Sequence, residues 1–182
     1  GNEIKRWQAA DIDAMPLLPE QALALKANLA VMDGLDEQIR QLESVILKQA
    51  RDSEVFQALN TVPGIGKALA LTIALESGDM TRFASAGHFA SYARTVDSRR
   101  ESNGKKKGDG DAKCGNKHLA WAFIEAAHFA VRYDETIRRW FQKKCAKTLQ
   151  VVAIKAGAHK LARACFHVMK TGTPFDAARA FG

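Results

Sequence analysis

The sequence predicts a mainly α fold: a helical, coiled-coil-like N-terminal segment, then an α-helical domain containing a helix-hairpin-helix and a long basic loop. Three observations carry this expectation. Apolar residues recur at steps of three and four along most of the chain. Few β-branched runs alternate with polar residues. Glycine and charge are concentrated in two places, around residues 63–66 and across 94–116.

Taken in order, residues 1–19 read as a linker, with Pro16 and Pro19 expected to end any helix there. Residues 20–50 read as a coiled-coil or dimerisation helix. Leu25, Leu29, Met32, Leu35, Ile39, Leu42 and Ile46 form its stripe, and Gly34 is its weak point. The stripe fits either pairing between copies or packing on the chain's own domain. A domain over 51–176 follows, then a tail over 177–182.

Within that domain, Asp52 or Ser53 caps a short helix through Leu59, and a second helix is expected from Lys67 to Glu76. Ser85 starts another, through about Ala93. Residues 94–116 hold four glycines, many charges and no apolar period, and read as a long loop or a bent ribbon. Helices are expected over 117–133, 134–147 and 149–170, closed by Gly172 and Pro174. Trp121, Phe123, Phe129, Val152, Leu161, Cys165, Val168 and Met169 are expected in the core.

Charge divides the chain. The formal net charge is +7, yet residues 1–60 carry four more acidic than basic side chains. The excess of Lys and Arg therefore lies in the later part, which implies a polyanionic partner such as nucleic acid. The three cysteines are widely spaced, which argues against a disulfide framework and fits a reducing cytoplasm. Neither Cys114 with His118 nor Cys165 with His167 completes a zinc set, so no metal site is expected in this chain. Residues 1–8 have no apolar core of a signal peptide, and no apolar run approaches the ~20 residues of a membrane span.

Two motifs carry chemistry. In Val62-Pro63-Gly64-Ile65-Gly66-Lys67 a glycine turn leads into a helix whose first N–H groups and positive dipole end suit a phosphate. Lys67 adds charge. Such contacts hold a DNA backbone without reading sequence, although the same residues would serve as a plain turn between core helices. In the second motif, Ser102 and Asn103 lie among Arg99, Arg100, Lys105, Lys106, Lys107, Lys113 and Lys117. Each cation can neutralise a phosphate. A serine hydroxyl needs activation to attack one, and in such a loop it can equally serve as a hydrogen-bonding group. Asn116 and Lys117 could meet phosphates at a helix start, or Asn116 could simply cap it.

Thr61 to Lys67, Phe89-Ala-Ser-Tyr92, Ser102-Asn-Gly-Lys105 and Gly115-Asn-Lys-His-Leu-Ala-Trp121 follow one another in fixed order. This series resembles the C-terminal transposase domain of the DEDD-type insertion-sequence transposases, a family with Piv-like DNA invertases and bridge-RNA-guided recombinases. The resemblance covers roughly residues 50–175, and residues 20–48 are similar to the family's coiled-coil region. It implies DNA strand cleavage and exchange through a covalent serine–DNA intermediate, with Ser102 at the nucleophile's position. It also implies a RuvC-like domain holding Mg2+, which this chain lacks, so that the chain alone is expected to be inactive. A guide RNA, a homo-oligomer and a nucleoid-associated bacterial protein are further expectations of the resemblance. The alternative is a non-catalytic helix-hairpin-helix DNA-binding module, or an oligomerisation fragment.

Overall fold

The computed structural model describes residues 7–96, 99–103, 105–109 and 114–182. The described chain is mainly helical and divides into two compact units, Gly1–Gln49 and Ala50–Gly182.

The first unit contains α1 (Ala9–Asp13) and nearly all of α2 (Pro19–Ala50). Pro19 opens α2, where the sequence suggested a stop. At the first helical position the missing N–H is one that would have no helical partner anyway. Gly34 does not break α2, which runs 32 residues. A mid-helix glycine costs only about 1 kcal/mol relative to alanine. The Lys26 ammonium meets the Asp13 carboxylate at 2.5 Å, tying α2 to the end of α1. Leu29 is buried, but Leu35, Ile39 and Leu42 are 58%, 49% and 62% exposed.

The second unit is built on α3 (Glu54–Leu59), α4 (Lys67–Ser77), a 3-10 turn (Met80–Arg82), α5 (Ala86–Tyr92), α6 (Lys117–Tyr133), α7 (Glu135–Cys145), α8 (Gln150–Thr171) and α9 (Ala177–Phe181). Local chemistry sets most boundaries. Ser53, Ser85 and Asp134 accept from the third backbone N–H beyond them and so cap α3, α5 and α7. Gly78 and Gly172, with φ of 59° and 67°, end α4 and α8.

The core lies where α8 packs against both α6 and α5. Small residues let the helices approach: Ala122, Ala126 and Ala130 on α6 and Ala153, Ala158 and Ala162 on α8 are fully buried. Phe89 of α5 fills the centre, edge-on to Phe83 at 5.2 Å and to Phe123 at 6.0 Å. Two expectations fail at the surface. Trp121 is 54% exposed and Val152 48%, because each lies on the far side of its helix from the buried alanines. Residues 177–182, read as a tail, carry α9, whose Phe181 is buried edge-on to Trp140 at 5.2 Å. Cys165 is fully buried, and burial pushes its thiol up, which leaves it protonated and inert.

Between α5 and α6 the chain forms a two-stranded antiparallel ribbon, β1 (Arg99–Ser102) paired with β2 (Lys105–Asp109). Ser102 pairs with Lys105 next to the turn, and the register slips between Arg100 and Glu101 as a bulge. Asn103 takes φ of 54°, as the first central residue of an Asn-Gly hairpin would.

Candidate nucleic-acid interface

The hairpin is assembled from a tight turn. Val62 to Ile65 is closed by a hydrogen bond from Ile65 N to Val62 O of 3.0 Å. Pro63 and Gly64 are its central residues, and Gly64 has φ of 85°. That pairing is the type II pattern, which favours glycine at the third position. Val62 and Ile65 are buried and anchor the turn from below.

The two glycines have different jobs. A Cβ on Gly64 would lie 2.4 Å from Ala126 O and 2.5 Å from Ala130 N, both backbone atoms of α6. Gly64 is therefore the contact through which the turn sits down on α6. A Cβ on Gly66 would meet nothing within 4 Å. Gly66 is the N-cap of α4, with ordinary extended backbone, and offers no side chain to the first N–H groups. No acidic residue stands in the first turn of α4. Gly66, Lys67 and Ala68 are exposed. This is an open, positively polarised helix start with a lysine beside it.

The surface here is a groove of about 590 Å3 between the turn and the end of α6. Its far wall is Phe129 and Tyr133, whose rings stack 6.3 Å apart at 9°, with the Arg132 guanidinium 5.8 Å from the Phe129 ring centre. Tyr133 is 74% exposed. Sequence reading took it only as a helix end. An aromatic four residues after Phe129 on the same helical face was the available signal.

The ribbon is fastened at its foot. Asn116 N donates to Tyr92 O at 2.7 Å, where the chain leaves α5 and re-enters α6. Gly115, with φ of 93°, makes this possible, since a Cβ would lie 2.5 Å from Tyr92 O. Thr95 is buried and bonds Ala90 O through both its N–H and its hydroxyl. The Asn116 carbonyl caps α6, accepting from His118 N at 2.8 Å and Leu119 N at 3.0 Å. Its amide donates to Glu76 at 2.5 Å. Hydrogen bonds from Asn116 first, and from Arg82 next, hold the Tyr92 phenol below its ordinary value. Asn116 is thus committed to holding the base of the ribbon.

Of the sequence-predicted site residues, Pro63, Gly64, Ile65, Gly66 and Lys67 come together in the groove. Arg99, Arg100, Ser102, Lys105, Lys106 and Lys107 lie along the paired strands, and Asn103 at their turn. Lys117 is the exposed first residue of α6. Lys113 lies outside the described residues. Among the described residues no group of three or more His, Cys, Asp or Glu side chains could hold a metal ion. Nor is any described helix long and apolar enough to cross a membrane.

A helical unit bearing an open glycine hairpin and a basic ribbon is the class these elements define. A family model described as Transposase IS116/IS110/IS902 family matches residues 56–142, from the first hairpin helix through the ribbon to α7. The chain is 29% identical over 146 residues to a transposase for insertion sequence element IS1328 from Yersinia enterocolitica, an alignment covering 78% of this chain and 44% of that protein. It is 25% identical over 146 residues to an insertion element IS110 uncharacterized 43.6 kDa protein from Streptomyces coelicolor, covering 80% of this chain and 36% of that one. The chain spans less than half the length of these relatives. The family model and both relatives are of insertion-sequence elements, and the likeness lies mainly in the second unit.

Proposed function

We propose that this chain is the DNA-gripping, serine-bearing part of an insertion-sequence transposase that cuts and exchanges DNA strands. The observation that carries the reading is the open N-terminus of α4, with Lys67 beside it and nothing in front of Gly66, inside the stretch that matches the transposase family model. A backbone phosphate seated there would take hydrogen bonds from the first N–H groups of α4 and charge from Lys67. Arg99, Arg100, Lys105, Lys106, Lys107, Lys113 and Lys117 would neutralise neighbouring phosphates.

In the chemical step Ser102 Oγ attacks the phosphorus of a phosphodiester. An Oγ–P bond forms as the bond from phosphorus to one bridging oxygen breaks. The hydroxyl proton leaves the serine, and the departing oxygen takes up a proton. Attack by a second strand's hydroxyl reverses these events and frees the serine. Arginines beside the phosphate would stabilise the charge that builds on its oxygens. The resemblance also implies Mg2+ and a RuvC-like domain, and neither enters a step here.

Gly66→Ala and Lys67→Ala test the grip. Neither should disturb the fold. Gly66→Ala places a methyl where the phosphate would sit, and duplex affinity should fall by about tenfold, on the scale of ~1–1.5 kcal/mol for a lost hydrogen bond. Lys67→Ala should weaken binding alike across sequences and lower the salt slope by about 1. Fluorescence anisotropy with a labelled duplex at two salt concentrations measures both. Unchanged affinity in both variants would remove the hairpin from the interface.

The exposed stripe on α2 favours a second role, pairing with another copy. With Leu35, Ile39 and Leu42 all replaced by Ser, the particle seen by light scattering should drop to the monomer mass. A parent chain that is already monomeric at high concentration would end that reading. A guide RNA, the other partner the resemblance suggests, is addressed by the same binding assays with RNA as competitor.

A further inference from the structure

A second groove lies between the outer face of α8 and the returning segment 173–180, with a volume of about 510 Å3. That is the size of a small-ligand pocket. His159, Arg163 and His167 stand four residues apart and line one wall. Arg179 of α9 and Phe175 belong to the other. The cations are not consumed by carboxylates. Among the described residues neither Arg163 nor Arg179 forms an ion pair, and both are exposed. The Asp176 carboxylate, which also lines the groove, accepts from Ala178 N at 2.9 Å and Arg179 N at 3.1 Å as the cap of α9. Lys160 is structural: its ammonium donates to Ala180 O at 2.9 Å and lies over the Trp140 and Phe181 rings. One polar atom is orphaned, since His159 Nδ1 is buried with no hydrogen-bond partner.

We propose that this cleft holds one unpaired nucleotide of a nucleic-acid strand, its phosphate between Arg163 and Arg179 and its base against Phe175. The composition of the walls selects this occupant. Guanidinium groups suit a phosphate, and an aromatic ring beside them suits a base, whose stacking is insensitive to sequence. Position supports it as well. Phe175 N donates to Thr61 Oγ1 at 2.9 Å, and Thr61 lines the hairpin groove. A strand leaving the hairpin would therefore reach the cleft directly. Burial first, then the charges of Arg163 and Lys160, hold the His159 imidazole below its ordinary value.

The proposal rests on the reading of this chain as a nucleic-acid binder, and its test separates the two. Arg163→Ala with Arg179→Ala, and Phe175→Leu separately, are compared with the parent chain in anisotropy titrations. The probes are labelled single strands of about ten nucleotides, deoxy and ribo, within the span such sites cover, and a duplex. The double variant should lose about tenfold or more in single-strand affinity, and its salt slope should fall by about 0.7 for each arginine. Phe175→Leu should lose affinity without changing that slope. Duplex affinity should stay within twofold in both, whereas Lys67→Ala should show the reverse pattern. A loss for either sugar type supports the cleft. Single-strand affinity within twofold of the parent in the double variant overturns it, whatever Lys67→Ala does to duplex binding. So does an equal loss for a polyglutamate peptide, which would make the cleft a site for anions in general. Thermal melting of each variant checks that the fold is retained.

Discussion

Gly64→Ala is expected to unfold much of the second unit at temperatures where the parent chain is stable. Two costs add. Alanine at φ of 85° is strained, by about 1–3 kcal/mol for a residue held in a sparsely populated region. Its methyl would also lie 2.4 Å from Ala126 O and 2.5 Å from Ala130 N. Neither atom can rotate away, because both belong to the backbone of a helix whose Ala126 and Ala130 side chains are fully buried. Overpacking of this kind costs a further ~1–3 kcal/mol. A total of about 2–6 kcal/mol is a large part of the 5–15 kcal/mol typical of a domain. Urea denaturation followed by circular dichroism should show a midpoint well below that of the parent. A midpoint equal to that of the parent would mean that the turn does not seat on α6 as described. Gly66→Ala is the control: its backbone is extended and its surroundings open, so the loss should stay under about 1 kcal/mol. Any loss of DNA affinity in a Gly64 variant is therefore a folding effect, and only the Gly66 variant reports on a phosphate.

The second large effect is expected at Ser102. If the full-length protein exchanges strands as proposed, Ser102→Ala removes the only atom at that position able to form the ester, so strand exchange and the trapped protein–DNA adduct should both disappear. Loss of a nucleophile costs on the order of 10^4–10^6 in rate in well-studied covalent enzymes, beyond the reach of most recombination assays. Duplex affinity should remain within twofold, because the surrounding cations carry the binding. Denaturing electrophoresis of a reaction with labelled DNA reads the adduct directly. An adduct of undiminished yield in the alanine variant would assign the nucleophile elsewhere and leave the chain as a binding module.

The helices of the second unit were legible because their signals are local. Ser53, Ser85, Asn116 and Asp134 announce helix starts, and Gly78 and Gly172 announce ends. The spacing of Leu119, Phe123, Ala126 and Ala130 identifies the buried face of α6. The turn between α3 and α4 was legible for the same reason, since proline and glycine at adjacent positions dictate it. What could not be read depends on residues far apart in the chain. That Gly64 is packed and Gly66 open follows from α6, some sixty residues away. The cleft on α8 exists because segment 173–180 returns, pinned to Thr61 across a separation of 114 residues. Phe181 looked like part of a tail because a single aromatic carries no period. The ribbon was half legible. The Asn103-Gly104 pair is a strong hairpin signal, but flanking strands of lysine, arginine and glycine lack the alternation that marks a sheet with one buried face.

The stem at Tyr92 and Asn116 has a consequence for how such domains diversify. The polypeptide departs from and rejoins the helical body at points joined by a 2.7 Å backbone hydrogen bond and by the side chains of the same two residues. Thr95 and Gly115 belong to that stem, and the stretch between those two can change without disturbing it. Lengthening that stretch adds little closure entropy, since each doubling costs only about 0.6 kcal/mol. Charge, reach and the residue at position 102 could therefore be exchanged between lineages while the body beneath keeps its shape, so that ribbon and scaffold are free to drift at different speeds.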